Sequence, residues 1–444
     1  MINRKNIPSD EILEIFQNLK ISKDWSFKGT SRTETGKWTH SYHRYPAKFI
    51  PQLVEKLFSN YIKKEEAYIN DPFMGSGTTI ISAISRGYRA SGTDINGIAY
   101  LMTKVKSTPI YPLYLRKKID SFISKISKQA GENILFGYYD EIEPTIPTQH
   151  IDRINYWYNQ DNQKVLGRLL TIINREEDKT FKDFLKIAFS QILKNCSIWL
   201  QTSTKPTRDK KKRIADPVNS IKLQLKKMEK GNIKYYEQVP KKVKGNLNYY
   251  LNIHKNDARN QPVENNSVDL IVTSSPYVTS YEYADLHELS SIWLEFTDDL
   301  KEYRKDFIGT AFKEPGKDFN KSIIGKEIVL KMINKSKKVS AEINTYFRDM
   351  KEVFDESYRI LKHGAHCCYV IGNTKLKGVE ILNAEVFSES LMLSGFILED
   401  VIKREIPSKI LPQKRDEKTG RFANNHNANT QAYPVEYIII GRKE

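Results

Sequence analysis

Along the chain, short apolar runs that end in an acid alternate with longer stretches whose apolar positions recur three and four residues apart. Strand and helix signals in alternation predict an α/β protein. Residues 9–20 read as an amphipathic helix, with Ser9 as the N-cap, Asp10 and Glu11 in the first turn and Lys20 near the end. A second helix starts at Pro51 and turns Leu53, Val54, Leu57 and Phe58 to one side. The run from Tyr68 to Asp71 reads as a strand, followed by a glycine-rich turn and a helix from Thr78 to Arg86. Tyr88–Asp94 is the second strand, Asn248–Arg259 the third and Val268–Thr273 the fourth. The fourth is almost wholly apolar, as a parallel strand covered on both faces should be. Helices follow at 286–296, 341–361 and 384–394, with extended segments at 366–372, 396–406 and 437–441. Loops are expected around Pro315 and over residues 412–432, a long mobile stretch rich in Lys, Arg and Asn.

The region from 110 to 245 departs from this alternation. It is helical, aromatic and increasingly basic, and Phe181–Leu193 has the period of a core helix. The 444 residues carry 71 Lys and Arg against 54 Asp and Glu, a formal charge of +17. Between Lys205 and Lys244 there are 14 basic and 4 acidic residues, so +10 of that +17 sits in one segment. Its sharpest feature is the run Lys205, Arg208, Lys210, Lys211, Lys212 and Arg213. A basic run is usually a solvated face. Beside Trp199, Tyr235 and Tyr236, this one suits a surface that follows nucleic-acid phosphates.

No apolar run reaches the roughly 20 residues of a membrane-spanning helix, and Met1-Ile-Asn-Arg-Lys5 has no signal-peptide core. The expected location is the cytoplasm of a prokaryotic cell, associated with the nucleoid. Cys196, Cys367 and Cys368 are too few for a disulfide framework or an all-cysteine zinc site, and no metal is expected.

The stretch Asp71-Pro-Phe-Met-Gly-Ser-Gly-Thr78 carries the most specific chemistry. A phosphate-cradling loop would need a lysine, and none occurs between Asp71 and Thr79. A dinucleotide fingerprint would need a third glycine, which is missing. A lone Gly-Ser-Gly is most often an ordinary tight turn. The whole stretch, however, resembles the cofactor loop of the S-adenosylmethionine-dependent DNA amino-methyltransferases, Asp-Pro-Phe-x-Gly-Ser-Gly-Thr, at every fixed position. The resemblance covers residues 38–104, 248–297 and 341–441. It implies a Rossmann-like, mostly parallel seven-stranded methyltransferase sheet with a large helical, basic insertion.

On that resemblance, Asp71, Pro72, Phe73, Gly75, Ser76, Gly77 and Thr78 form the cofactor loop. Tyr45-Pro-Ala-Lys48-Phe49 resembles the family's lid over the methionine end, so Lys48 would meet the cofactor carboxylate and Phe49 would pack on the sulfonium or adenosyl part. Asp94 follows Asp71 by 23 residues, close to the roughly 20-residue offset of a ribose-binding acid; a helix-capping role is the plain alternative. Asp257 corresponds to the acid that accepts from the adenine amine. His40 and His43 read as polar loop residues outside the chemistry.

Ser274-Ser275-Pro276-Tyr277 resembles the Asp/Asn/Ser-Pro-Pro-Tyr/Phe tetrapeptide that holds an exocyclic amine in this family. The Ser274 side chain and the Ser275 carbonyl would accept the two amine hydrogens, and Tyr277 would offer a face to an extruded base. Position two is Ser275 where the family has proline, so the turn is less constrained. Serine at position one leans, by family correlation, toward cytosine N4 and away from adenine N6. Methylation at cytosine C5 is disfavoured, because it needs a thiolate nucleophile and Cys367 and Cys368 lie in an apolar strand.

These readings predict a sequence-specific methyltransferase acting on double-stranded DNA, alongside a separate restriction endonuclease. N6-adenine transfer, RNA methylation and a non-catalytic nucleic-acid adaptor are the alternatives. Residues 1–109 and 246–444 would form the methyltransferase domain. Residues 110–245 would read the target, with 298–338 as a second DNA-contacting insertion.

Overall fold

The structure is a computed structural model that describes residues 2–46, 48–128, 142–203, 206–278, 283–313, 318–406, 414–415, 430–431 and 435–444. Seven strands form its central sheet: β1 (Tyr68–Asp71), β2 (Arg89–Thr93), β3 (Leu251–His254), β4 (Val268–Ser274), β5 (Leu361–Ile371), β6 (Phe396–Glu405) and β7 (Val435–Lys443). Their spatial order is β3-β2-β1-β4-β5-β7-β6. The first five pair in parallel, and only β7 runs against its neighbours β5 and β6.

This order decides where a ligand can go. From β1 the chain moves outward to β2 and β3, then returns to lay β4 on the opposite side of β1. Helices leaving β1 and β4 therefore diverge, and a crevice opens at the carboxyl ends of these two strands. Asp71 ends β1 and Ser274 ends β4, so the fold brings together segments about 200 residues apart.

The strands read as the sequence predicts because both faces are covered. Val268, Leu270, Ile271 and Val272 are all fully buried, and so is every residue of the helix Thr78–Ser85. The predicted Ser9 cap needs correcting. Pro8 occupies that position, Ser9 is the first helical residue, and its hydroxyl donates to Glu389 across 2.7 Å. The third strand is also shorter than its apolar run, since Leu247–Tyr250 makes a helical turn before β3.

The segment between β2 and β3 is helical and builds a core of its own. Its long helices are Pro112–Lys128, Gln160–Asn174, Lys179–Leu193 and Pro217–Gln238. Phe181, Phe184, Leu185, Ala188, Phe189 and Ile192 fall three and four apart and are buried, so one stripe of that helix faces inward. Ile98, Met102 and Val105, from the helix that follows β2, belong to the same cluster and fasten it to the sheet. His43 is buried here as well, its Nε2 2.8 Å from the Ser190 hydroxyl, and His40 is fully covered; neither is a loop residue in solvent. Residues 314–317 and most of 412–432, both expected as loops, lie outside the described residues.

Candidate active site

At the end of β1 the chain reverses through a loop held at each exposed backbone group. Thr93 donates its hydroxyl to the Pro72 carbonyl at 2.9 Å, and the Met74 amide donates to the Thr93 carbonyl at 3.0 Å. Thr103 donates to the Gly75 carbonyl at 3.0 Å. Gly77 has φ +80 and immediately precedes the helix Thr78–Ser85; a Cβ there would lie 2.8 Å from Thr103 Oγ1. A left-handed backbone with no room for a side chain leaves glycine as the residue that fits.

Two acids anchor the loop. Asp71 is buried; its Oδ1 accepts from the Phe73 amide at 3.1 Å and from the Thr273 hydroxyl at 2.6 Å. Burial pushes its carboxyl up to about 7, against the pull of those donors and with Asp94 adding repulsion. Asp94, at the end of β2, accepts from the Gly75 amide and the Asn96 amide, each at 2.9 Å. Burial raises it to about 6.

Above the loop lies a cleft whose empty space, open to solvent at its mouth, is about 820 Å³. The glycine loop supplies Pro72, Phe73, Gly75, Ser76 and Thr78 to its walls; the lid supplies Lys48 and Phe49; other strand ends supply Asp94, Asp257, Ser274 and Pro276. Eleven of the fifteen residues expected at the cofactor and the amine thus meet in one cleft. Asp71, Gly77, Ser275 and Tyr277 are set behind its walls. Tyr277 is half-buried, its ring against the end of β5, where a Cβ on Gly372 would be 3.3 Å from it.

The cleft also contains residues that the sequence reading missed. Asp306, Phe307 and Ile308 close one side. They are held there by Tyr303, whose hydroxyl accepts from the Gly97 amide at 3.0 Å and donates to Asn96 Oδ1 at 3.1 Å. Tyr303 and Phe307, four apart and edge-to-face with ring centroids 5.2 Å apart, were the available signal within a charged stretch. Asp257 is less free than expected, because Arg259 donates to both of its oxygens and holds its carboxyl below the usual range. Lys48 donates to the His40 carbonyl at 3.0 Å; burial, with Lys227 close by, pushes its ammonium down to about 8.

The basic run divides. Arg208, Lys210, Lys211 and Arg213 are exposed, with the Arg208 guanidinium 4.2 Å above the Tyr156 ring. Lys212 turns inward instead. Its ammonium donates to the carbonyls of Lys194, Ser197 and Trp199 at 2.6, 2.8 and 2.8 Å, which satisfies the end of the helix Lys179–Leu193 and the turn beyond it. Trp199 is buried and stacked on Trp157, and Tyr235 is fully buried, so neither presents a face to a nucleic acid. Lys205 lies outside the described residues.

A seven-stranded sheet in this order, with an acid-flanked glycine loop at its switch point, defines the S-adenosylmethionine-dependent methyltransferase class of fold. Residues 7–104 match a family model described as DNA methylase. The type II methyltransferase M.MvaI of Kocuria varians is 26% identical over 425 residues, which covers 91% of this chain and 92% of that one. M.MjaII of Methanocaldococcus jannaschii is 24% identical, covering 81% and 84%, and M.BsoBI of Geobacillus stearothermophilus 23%, covering 85% and 81%. These likenesses support a place in the DNA amino-methyltransferase family, with S-adenosylmethionine as the cofactor. The cleft fits that molecule. Asp94 offers a carboxylate to hydroxyls, Lys48 an ammonium to a carboxylate, Phe49, Phe73 and Ile308 apolar faces to a flat ring, and Gly75 bare backbone. No described helix is long and apolar enough to cross a membrane.

Proposed function

We propose that this DNA methyltransferase modifies the exocyclic N4 amine of a cytosine turned out of duplex DNA, as the modification enzyme of a restriction–modification system with a separate endonuclease. The observation that carries the reading is that Ser274 and the glycine loop open into the same cleft. The designation of the relatives as type II methyltransferases supports the restriction–modification setting.

Bound S-adenosylmethionine supplies a methyl group on a positively charged sulfur. Lys48 would meet the carboxylate of its methionine end and Phe49 its sulfonium or adenosyl part, Asp94 would accept from its ribose, and Asp257, shared with Arg259, would meet its adenine. Asp71 and Gly77 act from beneath, by fixing the loop. The Ser274 hydroxyl and the Ser275 carbonyl accept the two hydrogens of the target amine, whose lone pair is otherwise drawn into the ring. Held so, the nitrogen would keep its lone pair free for the methyl group that the cofactor would supply, and its surplus proton would pass to water. Orientation of this kind can contribute on the order of 7 kcal/mol.

Serine at position one favours cytosine N4 over adenine N6. The exposed Arg208, Lys210, Lys211 and Arg213 make residues 110–245 the first candidate for target recognition. Residues 298–338 are the second candidate, although Asp306 to Ile308 of that stretch line the cleft. Tritiated-methyl transfer to methyl-free amplified genomic DNA and to RNA, followed by nucleoside analysis, tests the reading. N4-methylcytosine is the expected product. N6-methyladenine, label confined to RNA, or no label at all would each overturn it.

A further inference from the structure

The tetrapeptide lacks one of the prolines that stiffen such a turn, and the structure contains a candidate replacement. Tyr346, on the helix Lys337–Ile360, donates its hydroxyl to the Pro276 carbonyl across 2.8 Å. The tyrosine is 1% exposed and the bond is partly buried, where an unpaired carbonyl is costly. The following peptide is confined as well. A Cβ on Gly309, whose φ is +82, would lie 3.0 Å from the Tyr277 carbonyl, and Val278 is fully buried. On the other side, Thr273 is bound to Asp71. Ser275 stands between these fixed points with its hydroxyl buried and, among the described residues, without a hydrogen-bond partner. Neither ring closure nor a side-chain hydrogen bond among the described residues restrains that link of the turn.

We propose that Tyr346 is a positioning residue for methyl transfer, holding the Ser274–Tyr277 turn rigid from outside in place of the missing second proline. The inference rests on the reading of that turn as the amine holder. Tyr346 does not line the cleft, so its effect passes through the Pro276 peptide to the Ser275 carbonyl and the Ser274 side chain. Stiffness is needed when the amine is aligned with the methyl group and not when the cofactor binds, so the rate constant and the cofactor affinity should respond differently.

The test is a two-by-two comparison of Tyr346→Phe and Ser275→Pro on the full chain, with Ser274→Ala as reference. Single-turnover methyl transfer is measured on methyl-free amplified genomic DNA, and S-adenosylmethionine affinity by calorimetry. Tyr346→Phe should lower the transfer constant roughly ten-fold while leaving cofactor affinity within about two-fold. In the Ser275→Pro background the same substitution should cost clearly less, because the ring now supplies the constraint. An unchanged transfer constant, a matching loss of cofactor affinity, or an equal cost in both backgrounds would overturn the proposal. If Ser274→Ala transfers at the wild-type rate, the reading of the turn itself fails. If only Ser274→Ala is impaired, the role of Tyr346 alone fails.

Discussion

Thr273 donates its hydroxyl to Asp71 Oδ1 across 2.6 Å, although 202 positions separate the two residues in the chain. The bond ties the last residue of β1 to the residue before Ser274 on β4. The same carboxylate oxygen accepts from the Phe73 amide, so the start of the glycine loop and the start of the tetrapeptide are set by one acceptor. On the proposed function these are the cofactor loop and the amine-holding loop, and the coupling would keep the fixed separation that an in-line transfer requires.

Thr273→Val keeps the shape of the side chain and removes the donor. Asp71 then loses a bond in a buried site, and the protein should be destabilised by about 1–3 kcal/mol. Equilibrium unfolding in urea measures this loss. The Asp71 carboxyl, already raised, should titrate higher still, as followed by carbon-13 NMR. An unchanged unfolding midpoint would mean that the two strand ends are held together by packing alone.

The acids also make a prediction about pH. Asp71 titrates near 7 and Asp94 near 6, both above the ordinary 3.8. Between about pH 4 and 7 the folded chain therefore holds protons that the unfolded chain has released, and the contribution of these groups to stability falls as pH rises. That contribution is complete below about pH 4 and lost by about pH 7. Asp94→Asn should remove the part of this fall that runs from about 4 to about 6, seen as a flatter curve than that of the wild type. Cofactor affinity should climb through the same range in the wild type, as Asp94 becomes a full acceptor for hydroxyls, and should be low and flat in the variant.

What the sequence revealed and what it hid follow from how far each signal reaches. The glycine loop was legible because its chemistry is local: Asp71, Gly75, Gly77 and Thr78 sit within eight positions and each answers to backbone geometry. Strand β4 was legible because burial on both faces leaves an apolar run. Lys212 was not, because a lysine that satisfies three carbonyls looks in sequence like its exposed neighbours. Trp199 and Tyr235 were misjudged for the same reason, since aromatic residues beside charge can face either way. Asp306 to Ile308 reach the cleft with the help of the bonds of Tyr303 to Asn96 and Gly97, about 206 positions away, and no local pattern records that.

Two glycines separate backbone conformation from packing. Gly29 and Gly77 both have positive φ, +93 and +80, but a Cβ at Gly29 meets nothing within 4 Å and one at Gly77 meets Thr103. Alanine at either position should cost roughly 1–2 kcal/mol for the left-handed backbone. Gly77→Ala should cost more, because Thr103 must give way and it holds the Gly75 carbonyl. Cofactor affinity should fall only for Gly77→Ala. Equal losses of stability, or an affinity that does not change, would show that the loop tolerates a side chain there.

The divided basic run gives the last prediction. Each lysine or arginine that neutralises a phosphate on duplex DNA contributes about 0.9 to the slope of log affinity against log salt. Substituting Arg208, Lys210 and Lys211 together by alanine should therefore make binding to duplex DNA weaker and its salt dependence shallower by about 2 to 3 units, with little effect on folding. Lys212→Met should do the reverse. Three carbonyls each lose a donor, the insertion is destabilised by about 1–3 kcal/mol, and the salt slope stays where it was. Fluorescence anisotropy across a salt series and urea unfolding read the two effects independently. If Lys212→Met flattens the slope, its ammonium reaches DNA despite the carbonyls around it; if the triple substitution leaves the slope alone, the phosphates are met elsewhere on the chain.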